Sequence, residues 1–131
     1  MLGTTGVVAA LVASFYVRAE SSGFSTADIC TAAIATDMGR ELKIIKTLKS
    51  GDMPEVGYTR HDEGKFRYRC RVESDRVVLQ AYFPDRSAWG SWRNSSDDAV
   101  LTFQADAEKL SISSSMTGIT DTYRKKAFGK R

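Results

Sequence analysis

The chain has two cysteines and one histidine, so thiol or imidazole chemistry can come only from Cys30, Cys70 and His61. A nucleophilic cysteine needs a base or a cation within hydrogen-bond reach. If Glu63-Gly64 closes a two-residue hairpin, His61 faces Phe66, Thr59 faces Tyr68 and Gly57 faces Cys70. His61 and Cys70 are then separated by about 13 Å along the strand, and no dyad is expected. The run His61-Asp62-Glu63-Gly64 is the one cluster that resembles acid–base machinery. Carboxylates in a tight turn stay solvated, however, and lack the burial that lifts a general acid toward neutrality. Asp97-Asp98 offers a hard cation too few oxygens, no Cys-x-x-Cys or His-x-x-x-His pair starts a zinc site, and the glycines fit no phosphate-cradling pattern. No catalytic residue, metal or cofactor is therefore expected, and the chain reads as non-enzymatic. A hydrolase built on His61 is the alternative.

Binding chemistry is better represented. Lys65, Arg67, Arg69 and Arg71 alternate with Phe66, Tyr68, Cys70 and Val72, the period of a strand with one apolar and one basic face. The same hairpin would add Tyr58 and Arg60 to the basic face from one neighbouring strand, and a turn at Ser74-Asp75 would add Arg76 and Tyr82 from the other. Guanidinium forks bind carboxylate or phosphate, and tyrosines offer stacking surfaces. An ordinary solvated sheet face would show the same alternation. Trp89 and Trp92 fall in a polar loop after Pro84, where they serve either as interface anchors or as a cap over the open end of a small core.

The elements that must position these residues follow from periodicity and capping. At 131 residues, 42% hydrophobic and 27% charged, the chain fits one globular domain. A net charge of +3 is too small to declare a nucleic-acid protein. Ser25 and Asp28 open a helix that places Ala27, Cys30, Ile34 and Met38 on one stripe, with Gly39 as its stop. Leu42 to Leu48 reads as a strand, and the Ser74-Asp75 turn sets Val72 against Val77, Cys70 against Leu79, Tyr68 against Ala81 and Phe66 against Phe83. Turning at Ala107-Glu108 sets Ala105 against Leu110, Phe103 against Ile112 and Ala99 against Met116, and a last strand includes Tyr123 to Phe128. The expected fold is α+β, one helix on a twisted antiparallel meander of about five or six strands. Cys30 and Cys70 lie on the two surfaces that must pack together. A bridge there would close a loop of roughly 40 residues and contribute about 4 kcal/mol; separate buried thiols are the alternative.

Residues 1–19 hold the apolar run Gly6 to Val17, ended by Val17-Arg18-Ala19. That pattern suits a cleavable signal peptide, with a membrane anchor or a packed element as alternatives. Residues 20–24 read as a linker, 25–128 as the domain and 129–131 as a tail. The stretch Ile29 to Arg40, with Gly57-Tyr58-Thr59-Arg60 and Tyr68-Arg69-Cys70, is similar to short uncharacterised exported proteins of bacteria and their prophages. That resemblance implies an extracytoplasmic setting and a Cys30–Cys70 bridge, and carries no assigned activity. The function expected is a periplasmic or secreted binding module for an acidic protein or an anionic envelope component, with no nucleic-acid partner. An inhibitor of an extracytoplasmic enzyme and an accessory protein anchored in the membrane through residues 1–19 are the alternatives.

Overall fold

A computed structural model of the chain describes residues 23–61 and 64–129. The expected leader or anchor, residues 1–19, lies outside the described residues, as do Asp62 and Glu63. Helix α1 (Thr26–Met38) starts where the sequence places it. Ser25 Oγ accepts from the Asp28 amide at 3.0 Å, and the Ser25 amide donates to Asp28 Oδ2 at 3.1 Å, a reciprocal capping box. Gly39, at φ 63°, ends it in the left-handed conformation that costs glycine least.

The helix buries far more than one stripe. Ala27, Ile29, Cys30, Thr31, Ala32, Ala33, Ile34 and Ala35 are all buried, and Thr31 satisfies its hydroxyl by donating back to the Ala27 carbonyl at 2.8 Å. The sheet explains this burial. Its strands are β1 (Lys46–Lys49), β2 (Glu55–Arg60), β3 (Gly64–Glu73), β4 (Arg76–Phe83), β5 (Ala88–Trp89), β6 (Leu101–Ala105), β7 (Lys109–Ser114) and β8 (Thr120–Arg124). They form one antiparallel meander in the order β1-β2-β3-β4-β6-β7-β8, with β5 beside β4. Strands from both ends of this order contact α1, so the sheet curls into a half-barrel around the helix, and the alanines let its strands approach closely. Eight strands replace the five or six expected. The edge strand β1 is preceded by a 3-10 turn over Leu42–Ile44, so the strand expected from Leu42 begins only at Lys46. The final strand ends at Arg124, where Lys125–Ala127 form another 3-10 turn.

Cys30 and Cys70 form the helix–sheet disulfide, with Cα atoms 5.7 Å apart and both residues fully buried. It joins α1 to the centre of β3, within a core that includes Ile29, Ile34, Val56, Leu79, Phe103 and Ile112. Phe24 is buried too and meets Phe128 edge-on at 5.6 Å. A disulfide of this kind belongs to a non-reducing, extracytoplasmic environment. No described helix is long and apolar enough to cross a membrane.

Two registers hold and one fails. The β3–β4 pairs Tyr68–Ala81, Cys70–Leu79 and Val72–Val77 stand as the alternation requires, as do Phe103–Ile112 and Ala105–Leu110 between β6 and β7. The β2–β3 register differs from the one a Glu63-Gly64 turn would set: Arg60 pairs with Gly64, Tyr58 with Phe66 and Val56 with Tyr68. A slip of odd length turns every side chain of β2 to the other face. Tyr58 therefore leaves the basic face and stacks in the core on Phe66 at 5.2 Å and Tyr68 at 6.3 Å. Burial, reinforced by Tyr58, pushes the Tyr68 phenol up to about 12. Arg60 follows Val56 and Tyr58 onto that same row, away from Arg67.

Candidate functional site: an arginine–tryptophan ladder

On the convex face, β3 presents Lys65, Arg67, Arg69 and Arg71, and the adjacent β4 presents Arg76, Val78, Gln80 and Tyr82. The tryptophan loop folds back along the far edge of β4. Tyr82 pairs with Trp89 and Phe83 with Ala88; beyond them the Gly90 amide donates to the Ala81 carbonyl and the Arg93 amide to the Leu79 carbonyl, each at 2.8 Å. Three residues on the loop thus span two on β4, which acts as a β-bulge. In a regular strand Trp89 and Ser91 would share a face. The extra residue puts Trp92 there instead, so both indoles lean over β4 toward the arginines.

The result is an alternating stack. The Arg67 guanidinium lies 4.7 Å from the Tyr82 ring and 5.1 Å from Trp89, Arg69 lies 4.3 Å from Trp89 and 5.7 Å from Trp92, and Arg71 lies 4.5 Å from Trp92. Tyr82 closes on Trp89 edge-on at 5.2 Å. Each guanidinium over an indole face is held by the ring's quadrupole, worth about 0.5–1 kcal/mol where partly exposed. Beneath the stack, Val78 is fully buried and Gln80 is 7% exposed, although both belong to the outward row. Neither tryptophan caps the core; both cover the opposite side of the sheet.

Charge and hydrogen bonding fix the stack further. Arg67 Nη2 donates to Glu55 Oε1 at 2.7 Å, and Lys49 lies 3.6 Å from the other Glu55 oxygen. Burial acts to raise the Glu55 carboxyl, but Arg67 and Lys49 together outweigh it and hold the group below its ordinary value. Arg71 Nε lies 2.6 Å from Glu73 Oε2, an ion pair without the alignment of a good hydrogen bond. Arg69 differs: its Nε donates to Gln80 Oε1 at 2.5 Å, and Gln80 Nε2 donates to the Gly90 carbonyl at 2.6 Å. That relay ties the middle arginine to the backbone of the tryptophan loop. Gly90 permits it, because a Cβ there would lie 2.5 Å from Phe83 Cε2.

Neither a protein-family model, nor a curated protein, nor a solved structure matches the chain. The site must be read from its own chemistry.

The remaining candidates lie apart from the ladder. Lys65 is exposed at the start of the arginine row, and Arg76 stands at the other end of β4 opposite Glu73. His61 is exposed just past β2, beyond the Arg60–Gly64 pair that is itself six rungs or about 20 Å from Cys70, whose sulfur is committed to the disulfide. Among the described residues no three His, Cys, Asp or Glu side chains are grouped to hold a metal ion. A concavity of about 290 Å³ opens where β4 and β6 diverge, with Leu79 and Leu101 among its apolar lining and Asp37, Arg93 and Asp98 among its charges. Ala99 and Met116 line it instead of pairing, since β6 starts only at Leu101. Asp37 lies 4.0 Å from Arg93, and burial raises its carboxyl despite that cation.

Sequence reasoning treated the arginine row and the tryptophan loop as two rival surfaces and missed Glu55, Gln80 and Gly90. The available signal was composition alone, two tryptophans in the connection that leaves β4.

Proposed function

We propose that this protein is a non-enzymatic binding module, periplasmic or secreted after loss of residues 1–19, that docks an acidic protein partner on the arginine–tryptophan ladder. The observation that carries the reading is the stack itself, which gathers tyrosine, tryptophan and arginine on one convex face. These are the residue types that dominate binding energy at protein interfaces, and here their rotamers are held before any partner arrives, which lowers the entropy cost of association. The face suits a protein better than a polyanion. Within the stack, Glu55 pairs with Arg67 and Glu73 with Arg71, which leaves Arg69 alone of the three without a carboxylate, and polyanion affinity scales with the number of charges neutralised. The disulfide supports the compartment, and the leader-like run supports export.

The test is capture by the oxidised protein carrying a photo-crosslinker at Ser87, next to the ladder, from an envelope extract. An acidic protein crosslinked by the parent and lost with Trp89→Ala and Trp92→Ala, each checked for an intact disulfide and native circular dichroism, supports the reading. Equal crosslinking by folded tryptophan variants would overturn it. Mass spectrometry of the exported chain tests removal of residues 1–19.

A further inference from the structure

We infer that Arg69 forms a receptor for a single carboxylate, walled by Trp89 and Trp92, and that this is the point at which the ladder reads an aspartate or glutamate of its partner. The inference rests on the docking role given to the ladder, and deepens it.

The three stacked arginines are not equivalent. Arg67 spends its charge on Glu55 and Arg71 on Glu73. Arg69 has a neutral partner, Gln80, which occupies only Nε. Its two Nη groups make no described hydrogen bond and are not among the buried polar atoms lacking one, on a residue that is only half-buried. They therefore reach solvent. The side chain cannot swing freely, since Gln80 pins Nε from one side and is itself pinned by the Gly90 carbonyl, while Trp89 and Trp92 flank the guanidinium. A planar fork held in place, with donors outward and apolar walls on either side, is the geometry that takes a carboxylate through charge-assisted hydrogen bonds. The walls exclude water from the ion pair and strengthen it.

Charge selects the anion. Arg69 alone of the three has no carboxylate partner, so the slot itself offers one positive charge. A monoanionic carboxylate balances it; a phosphate dianion would bring a second negative charge toward Glu55 and Glu73. Gln80 is the enforcing residue, because a carboxylate at that position would neutralise Arg69 as its neighbours are neutralised.

The experiment is a titration of the oxidised, 15N-labelled protein with sodium acetate at constant ionic strength, with chloride and phosphate as separate arms, following the Arg69 Nε–H and the Trp89 and Trp92 indole N–H resonances. Saturable shifts at all three are expected with acetate, no saturation with chloride, and no tighter response to phosphate. Arg69→Gln should abolish saturation. Arg69→Lys, which keeps the charge and lacks the fork, should weaken binding by about tenfold, and serves if the glutamine variant fails to fold. Absence of saturation, an unaltered response in both variants, or tighter binding of phosphate would overturn the carboxylate slot. The docking face fails separately: partner capture lost on changing the tryptophans but retained in Arg69→Gln leaves the face and removes the slot. Acetate binding without partner capture does the reverse.

Discussion

Arg71 stands with its guanidinium carbon 4.5 Å from the centre of the Trp92 ring, although one residue belongs to β3 and the other lies in the loop beyond β4. Val78, the residue opposite Arg71 on β4, is fully buried on the outer side of the sheet. The contact does two jobs, covering apolar surface and holding a charged face in order.

Trp92→Ala should therefore destabilise as well as disarm. Loss of two cation–π contacts and the uncovering of Val78 together predict a cost of about 2 kcal/mol, or a fall in melting temperature of roughly 5–10 °C. Urea denaturation with an unchanged slope measures it, and Trp92→Phe should recover part of the loss.

Gly90→Ala tests the seat of the loop. The added methyl would meet the Phe83 ring at 2.5 Å, so either the ring or the loop must shift, with an expected cost of about 1–3 kcal/mol. Lifting of the loop would expose the indoles, read as a red-shifted tryptophan emission and faster quenching by acrylamide. Unchanged emission and stability would show that Phe83 simply moves aside.

The disulfide should dominate stability without being reducible in the native state. Both sulfurs are buried, so thiol exchange must wait for opening of the structure. Dithiothreitol alone should react slowly and dithiothreitol with urea quickly, followed by intact mass. Replacing both cysteines with alanine should cost about 4 kcal/mol. Rapid reduction of the folded protein would contradict the buried bridge.

Two carboxylates should respond to acid in opposite senses. Glu55 is held below its ordinary value, so its contribution is present above about pH 4.3 and is lost as pH falls through the lower folded value. Asp37 is raised by burial, so the fold disfavours its ionised form. Its contribution is fullest below about pH 3.9 and declines as pH rises through the raised folded value. Glu55→Gln should be less stable than the parent at pH 7, with the difference shrinking in acid. Asp37→Asn should be at least as stable as the parent at pH 7, and that advantage should vanish in acid. Urea melts across pH 3–7 decide both signs.

Much of the architecture is local and therefore legible. Ser25, Asp28 and Gly39 bound the helix through interactions spanning four residues or fewer, and the Ser74-Asp75 turn fixes the β3–β4 register because one slip would send Phe66, Tyr68 and Cys70 to solvent. From that register and the helix stripe, the Cys30–Cys70 pairing follows. The β2–β3 hairpin was less legible. A Glu63-Gly64 turn and the register that pairs Arg60 with Gly64 both satisfy short-range preferences, and only packing of Tyr58 on Phe66 and Tyr68 distinguishes them.

The candidate site depends on contacts the chain does not advertise. Alternation alone placed Arg67, Arg69 and Arg71 on one face, and composition marked Trp89 and Trp92 as notable. Their meeting required the loop to return along β4 with one residue more than the strand beside it, a count set by backbone hydrogen bonds to Ala81 and Leu79. Periodicity reports which way a side chain points within an element. It cannot report which side chains two elements bring together, because that is fixed by the closure of the whole sheet around the helix.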